Sequence, residues 1–218
     1  AAYDVISGSE PSLGVVLTYP DRNGAEPRPE ARTVHRKAAP SKAAQPSIGV
    51  VGAGNFAVRT LLPALRDGEA RLRVIASPGG TSGAIAGSKF DFERVTTDTE
   101  SVLTDDEVDT VFVLTRHDTH ARFTIRALEA GKHVFVEKPL ALTEEELNAV
   151  AGAAERSGRL LMVGFNRRFA PLTQRVREYL AGRAGPLSIV ATINAGEIPR
   201  DHWTQDPRVG GGRIVGEA

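Results

Sequence analysis

Gly52-Ala53-Gly54-Asn55-Phe56-Ala57 sets two glycines and a small residue at the spacing G-x-G-x-x-G/A, directly after the apolar run Ile48 to Val51. Between a strand and a helix each position has a mechanical task. Gly52 permits the tight turn, Gly54 lets the backbone approach a pyrophosphate, and Ala57 lets the helix pack close to the strand. Asn55, Phe56 and Ala57 open that helix, whose free N–H groups and dipole favour phosphate oxygens. The chemistry such a loop serves is retention of a dinucleotide. A second group, Glu137-Lys138-Pro139-Leu140, follows the apolar run ending at Val136. It therefore falls at the carboxyl edge of a sheet, where open α/β folds bind their ligands. Pro139 restricts Lys138 to an extended backbone. A lysine fixed there can hydrogen-bond a reacting hydroxyl or take part in its proton transfer while a hydride passes to a nicotinamide.

The glycine fingerprint is normally completed by an acidic residue at the end of the next strand, about 20 residues on, which binds the adenosine ribose hydroxyls. This chain has Ser77-Pro78-Gly79-Gly80 there. No carboxylate repels a 2′-phosphate and no arginine adjoins Ser77 to receive one, so NAD and NADP are both admitted. Other chemistries find less support. The five histidines (35, 117, 120, 133 and 202) show no paired ligand spacing and cysteine is absent, so no metal site is expected. His133 opens a buried strand and reads as structural. No serine occupies a G-x-S-x-G elbow.

These groups need a framework, and the periodicity supplies one. Strands are expected at Ile48 to Val51, Leu72 to Ala76, Thr110 to Leu114, His133 to Val136 and Leu160 to Val163, with helices between them. Thr119 to Ala130 puts apolar residues on one helical face and is stopped by Gly131; Thr143 and Glu146 form a capping box for a helix that Gly158 ends. The alternation predicts an α/β fold, a Rossmann doubly wound parallel sheet over 48–165. From 166 to 218 a helix, Leu172 to Ala181, and an alternating strand, Leu187 to Ala195, read as the truncated start of an α+β open-sheet domain. Residues 1–20 read as the tail of a preceding domain. The Pro-, Arg- and Lys-rich stretch 21–47 reads as a flexible linker.

Composition excludes several partners. Lys plus Arg equals Asp plus Glu at 27 each, so no global field favours nucleic acid or an anionic membrane. No window approaches the roughly 20 apolar residues of a membrane span, no secretory signal is visible, and a cytoplasmic protein is expected.

The glycine loop, Thr115-Arg116-His117-Asp118-Thr119-His120, Glu137-Lys138-Pro139-Leu140 and Gly164-Phe165-Asn166-Arg167-Arg168-Phe169 follow one another in an informative order. From Ile48 onward the chain resembles the glucose-fructose oxidoreductase, inositol dehydrogenase and MocA family, most specifically in its Glu-Lys-Pro triplet. The resemblance implies an NAD(P)-dependent enzyme that oxidises or reduces a CH–OH group of a sugar, polyol or related cyclic compound. It implies Lys138 as the catalytic lysine and Thr115, His120, Glu137 and Ser77 as cofactor contacts. Asn166, Arg168, Asp201, His202, Trp203 and Glu217 are then candidate substrate contacts around an apolar platform.

The departures are as informative. The family turn commonly reads Thr-Pro-Asn, where this chain has Thr115-Arg116-His117. A family Asp, with a His four residues later, completes the catalytic group. By that count Gly216 holds the Asp position, Glu217 follows, and the His would lie beyond Ala218. The stretch from Asn194 to Ala218 is similar to a branch fused behind a zinc-type alcohol-dehydrogenase-like module, which implies truncation at both ends. Members often oligomerise, so a homo-oligomer of the whole protein is admitted. Two other readings stay open at this point: a non-catalytic dinucleotide-binding or interaction module, and a Rossmann protein for another adenosine ligand such as a methyl donor.

Overall fold

The computed structural model describes residues 32–36, 45–194 and 196–217, with the side chain of Glu217 left out. The tail expected at 1–20 lies outside these residues, as does most of the linker placed at 21–47. The strands are β1 (Thr33–His35), β2 (Ser47–Val51), β3 (Arg71–Ala76), β4 (Arg94–Thr96), β5 (Thr110–Val113), β6 (His133–Val136) and β7 (Leu161–Val163). A π-helical turn, Ala57–Leu61, runs into α1 (Leu62–Arg66). The other helices are α2 (Thr81–Lys89), α3 (Glu100–Leu103), α4 (His120–Glu129), α5 (Glu144–Ser157), α6 (Pro171–Leu180) and α7 (Gly212–Glu217).

One sheet holds the strands in the order β1-β4-β3-β2-β5-β6-β7. Every ladder is parallel except that of β1 on β4. The inner strands β2, β5 and β6 are apolar runs because both faces of the sheet are covered there. Val51, Val74, Val111 and Val113 pack on one face with Ala127 and Leu128 of α4, while Ile48, Val50 and Ile75 pack on the other with Leu62, Phe90 and Phe92. The chain moves outward from β2 through β3 to β4, then returns to the other side of β2 with β5. That reversal leaves a crevice at the carboxyl ends of β2 and β5, the place where doubly wound sheets hold ligands.

The local signals act as written in the sequence. Glu146 N–H donates to Thr143 Oγ1 at 3.2 Å, and the Glu146 carboxylate accepts from the Leu142 N–H at 2.9 Å, one residue earlier than the reciprocal bond of a standard capping box. Gly158 ends α5 in the left-handed conformation, φ 61°.

Three expectations change. Thr33–His35, inside the presumed linker, forms an antiparallel edge strand tied by Thr33 Oγ1 to Thr96 Oγ1 at 3.0 Å. The Arg94–Thr96 strand, which no apolar run announced, joins the sheet because β3 supplies its ladder. Leu187 to Ala195 forms no strand at its described residues 187–194, where Ile189 and Val190 are exposed, because alternation gives a strand only where a neighbour accepts the ladder. No helix among the described residues is long and apolar enough to cross a membrane.

Candidate active site

At the β2–β5 crevice the backbones come together at Gly52. Its N–H donates to the Ala76 carbonyl at 2.8 Å, and Leu114 N–H donates to Val51 at 2.8 Å, so three strand ends are pinned side by side. Gly52 has φ 105°, and a Cβ built there would lie 2.5 Å from the Leu114 carbonyl oxygen. Only glycine fits. Gly54 differs: a Cβ there would meet nothing within 4 Å, because the position faces the crevice rather than the protein. Val58 N–H returns to the Gly54 carbonyl at 3.0 Å and starts the helix.

The crevice widens into a cavity of about 840 Å³. Gly52 to Ala57 form its floor, with Ser77, Pro78 and Ser82 on the β3 side and Leu114 to Arg116, Asp118, Thr119, Arg122 and Phe123 on the β5 side. Trp203 closes one end. An open backbone floor at a helix start and a Ser77–Ser82 hydroxyl pair 2.7 Å apart suit the phosphates and ribose of a dinucleotide. No acidic residue stands at the end of β3.

Behind one wall lies His120, 1 % exposed. Nδ1 is 2.7 Å from the Pro139 carbonyl and Nε2 is 3.1 Å from the Thr115 carbonyl, so one ring joins the cavity loop to the lysine loop. A neutral imidazole donates through one nitrogen only, whereas a charged one would satisfy both carbonyls. Burial dominates and holds His120 below its ordinary 6.5 despite both carbonyls. Glu137, raised by burial, turns its carboxylate back to the Lys138 N–H at 3.2 Å. It lies over Gly164, where a Cβ would meet Glu137 Oε1 at 2.6 Å. Gly164 is therefore bare because Glu137 occupies the space, a requirement that the sequence motif carried without revealing its cause.

The segment 203–217 folds back on this edge. Gly210 carbonyl accepts from His117 Nδ1 at 2.8 Å, Val209 carbonyl accepts from the Asp118 N–H at 3.1 Å, and Gly216 carbonyl accepts from Lys138 Nζ. Trp203 meets the His117 ring edge-on at 4.8 Å and carries the Arg116 guanidinium at 5.6 Å. His117, half-buried, is also pushed down by desolvation. Arg116 and His117, the residues that depart from Thr-Pro-Asn, are thus the ones that receive Trp203 and Gly210.

The expected site residues fall into three groups. Gly52, Gly54, Asn55, Phe56, Ala57, Ser77, Thr115 and Trp203 line the cavity. His120, Glu137 and Lys138 form the edge just described and do not line it. Asn166 and Arg168 sit on an exposed turn after β7, and Asp201 is exposed, none of them in the cavity wall. His202 Nδ1 bonds Thr204 Oγ1 at 2.8 Å and caps the short turn that holds Trp203. The Glu217 side chain lies outside the described residues. Sequence reasoning missed Arg122 and Phe123, which enter the cavity from α4 and belong to no motif; amphipathic periodicity marks their helix but not which turn borders a ligand.

A family model described as an oxidoreductase family with an NAD-binding Rossmann fold, GFO_IDH_MocA, matches residues 47–165. Inositol 2-dehydrogenase 2 of Saccharopolyspora erythraea is 37% identical over 162 residues, covering 70% of this chain and 47% of that protein. A 3-ketoreductase from Actinomadura kijaniata, solved with NADP and TDP-benzene, superposes with a TM-score of 0.68 at 27% identity, over 79% of this chain and 54% of its own. Levoglucosan dehydrogenase, solved with NADH and levoglucosan, gives 0.62 at 28% identity, over 77% and 49%. The chain spans about half the length of the curated relatives it matches. With the match covering the whole glycine loop, the crevice and the lysine edge, the chain belongs to the Gfo/Idh/MocA oxidoreductase family, whose fold here is an NAD(P)-binding Rossmann domain.

Proposed function

We propose that this chain carries the cofactor-binding and lysine-bearing part of an NAD(P)-dependent dehydrogenase or reductase acting on a CH–OH group of a sugar, polyol or related cyclic compound. The observation that carries the reading is a glycine-floored cavity joined through His120 to the loop of Lys138. The cofactor, when bound, accepts or gives a hydride at its nicotinamide C4. Everything else falls to the chain. Gly52 to Ala57 receive the pyrophosphate, Ser77 faces the adenosine ribose, and Thr115 and Trp203 bound the other end. Lys138 holds the reacting oxygen and moves its proton, with Glu137 and Pro139 fixing its backbone.

Relatives support the substrate class by name, since they include a dehydrogenase of inositol and one of levoglucosan. One observation favours a second reading, a dinucleotide-binding module without turnover: the Lys138 ammonium is held by the Gly216 carbonyl and does not line the cavity. The two separate cleanly. The polypeptide that carries this chain natively is assayed with both cofactors against a panel of sugars and polyols, beside its Lys138→Met variant. The dehydrogenase reading expects turnover that falls about a hundredfold or more in the variant, with cofactor affinity unchanged. Turnover equal in the two proteins removes Lys138 from the chemistry, and dinucleotide binding without turnover on any substrate supports the module.

A further inference from the structure

Two arginines, Arg116 and Arg122, border the cavity without a carboxylate partner among the described residues. Arg116 lies over Trp203, whose ring also meets His117, so it marks the Lys138 end. Arg122 lies in the first turn of α4. It borders the main cavity and also an adjoining shallow pocket of about 220 Å³ floored by Asp98, Thr99 and Glu100. That loop follows β4, whose Thr96 carbonyl accepts from the Ser77 N–H at 3.1 Å. The loop and the end of β3 therefore form one corner, and Arg122 faces it from α4.

The charges at this corner leave Arg122 uncommitted. Glu100 is paired with Arg126, and the Asp98 carboxylate accepts from the Glu100 N–H at 3.0 Å. Asp118, four residues before Arg122, also lines the cavity and forms no ion pair with it. The Arg122 guanidinium rests 4.6 Å over the Phe123 ring. Contact through its face leaves its in-plane N–H groups for a phosphate fork. On the β3 side of the same cavity the position that carries a carboxylate in NAD-selective sites is Ser77, whose hydroxyl pairs with that of Ser82. The cavity thus presents an unpaired cation on its β5 side and two hydroxyls on its β3 side, the surroundings an adenosine 2′-oxygen would meet.

Resting on the dinucleotide reading, we propose that Arg122 is the specificity-determining residue for the cofactor: it takes the 2′-phosphate and makes the chain select NADP(H) over NAD(H). It supplies from α4 the cation that the sequence lacks beside Ser77. Calorimetric titration of the chain with NADPH and with NADH at one ionic strength, repeated for Arg122→Gln and Arg122→Lys, tests this. The wild type should bind NADPH about ten- to a hundredfold more tightly, the worth of a charge-assisted contact. Arg122→Gln should abolish the preference by weakening NADPH alone, and Arg122→Lys should keep part of it. Because Arg122 is exposed, unchanged melting of both variants establishes that the fold is intact. Equal or tighter NADH binding by the wild type overturns the proposal, as does an Arg122→Gln variant that weakens both cofactors alike or neither. Failure of both dinucleotides to bind the folded wild type is a different result, which removes the dinucleotide reading itself.

Discussion

Two glycines two positions apart in one loop are there for different reasons. Gly52 is forced by the protein, with a left-handed backbone and the Leu114 carbonyl in the way of any side chain. Gly54 is bare toward open space, so its requirement comes from a ligand. Gly52→Ala should therefore cost roughly 1–3 kcal/mol of stability. Gly54→Ala should leave thermal unfolding within about 0.5 kcal/mol of the wild type while weakening dinucleotide binding tenfold or more. Parallel melting curves and titrations check the pair; a Gly54→Ala protein that binds normally would show that the floor does not touch the cofactor. At this scale the glycines and Ser77 were readable as cavity residues because their spacing and strand-end positions encode a turn, whereas Thr115 and Trp203 were reached only through the family resemblance. Arg122 was not, since a helix period reports a face and not a depth along the sheet edge.

Elements position these residues through local signals that can be tested singly. Thr143→Ala removes the side-chain acceptor of the Glu146 N–H and should cost about 1 kcal/mol, seen as a lower melting temperature. An unchanged melt would mean that α5 is held by packing alone. β2, β3, β5, β6 and β7 were legible within a residue or so because each carries an apolar run. The short strands β1 and β4 were not, since Thr33–His35 and Arg94–Thr96 carry charge and hydroxyls on an outer part of the sheet. Leu187 to Ala195 shows the converse, a strand pattern without a partner. An alternating sequence states a capacity to pair; the ladder needs a neighbour that sequence periodicity does not report.

Across the whole molecule, charge and burial set the response to acid. His117 and His120 are both held below the ordinary histidine value by desolvation. Burial alone would raise Glu93, but bonds from Arg71 at 2.6 Å and Arg73 at 3.0 Å outweigh it and hold it below its ordinary 4.5. In each case the unfolded chain binds protons more readily than the folded one, so stability is complete above the unfolded pKa and lost as pH falls. The histidine loss begins near pH 6.5 and the Glu93 loss below about 4.5. Melting temperature should fall from pH 7 to pH 5, and His120→Gln should flatten that slope; a slope unchanged in the variant would show that His120 is not a neutral buried base. The central claim, that the crevice between β2 and β5 holds a nicotinamide dinucleotide, is tested most directly by calorimetric titration of the chain and of Gly54→Val with NADPH and NADH. The account predicts saturable one-to-one binding to the wild type and none to an equally stable variant, whereas no binding to the folded wild type, or equal binding to both proteins, would contradict it.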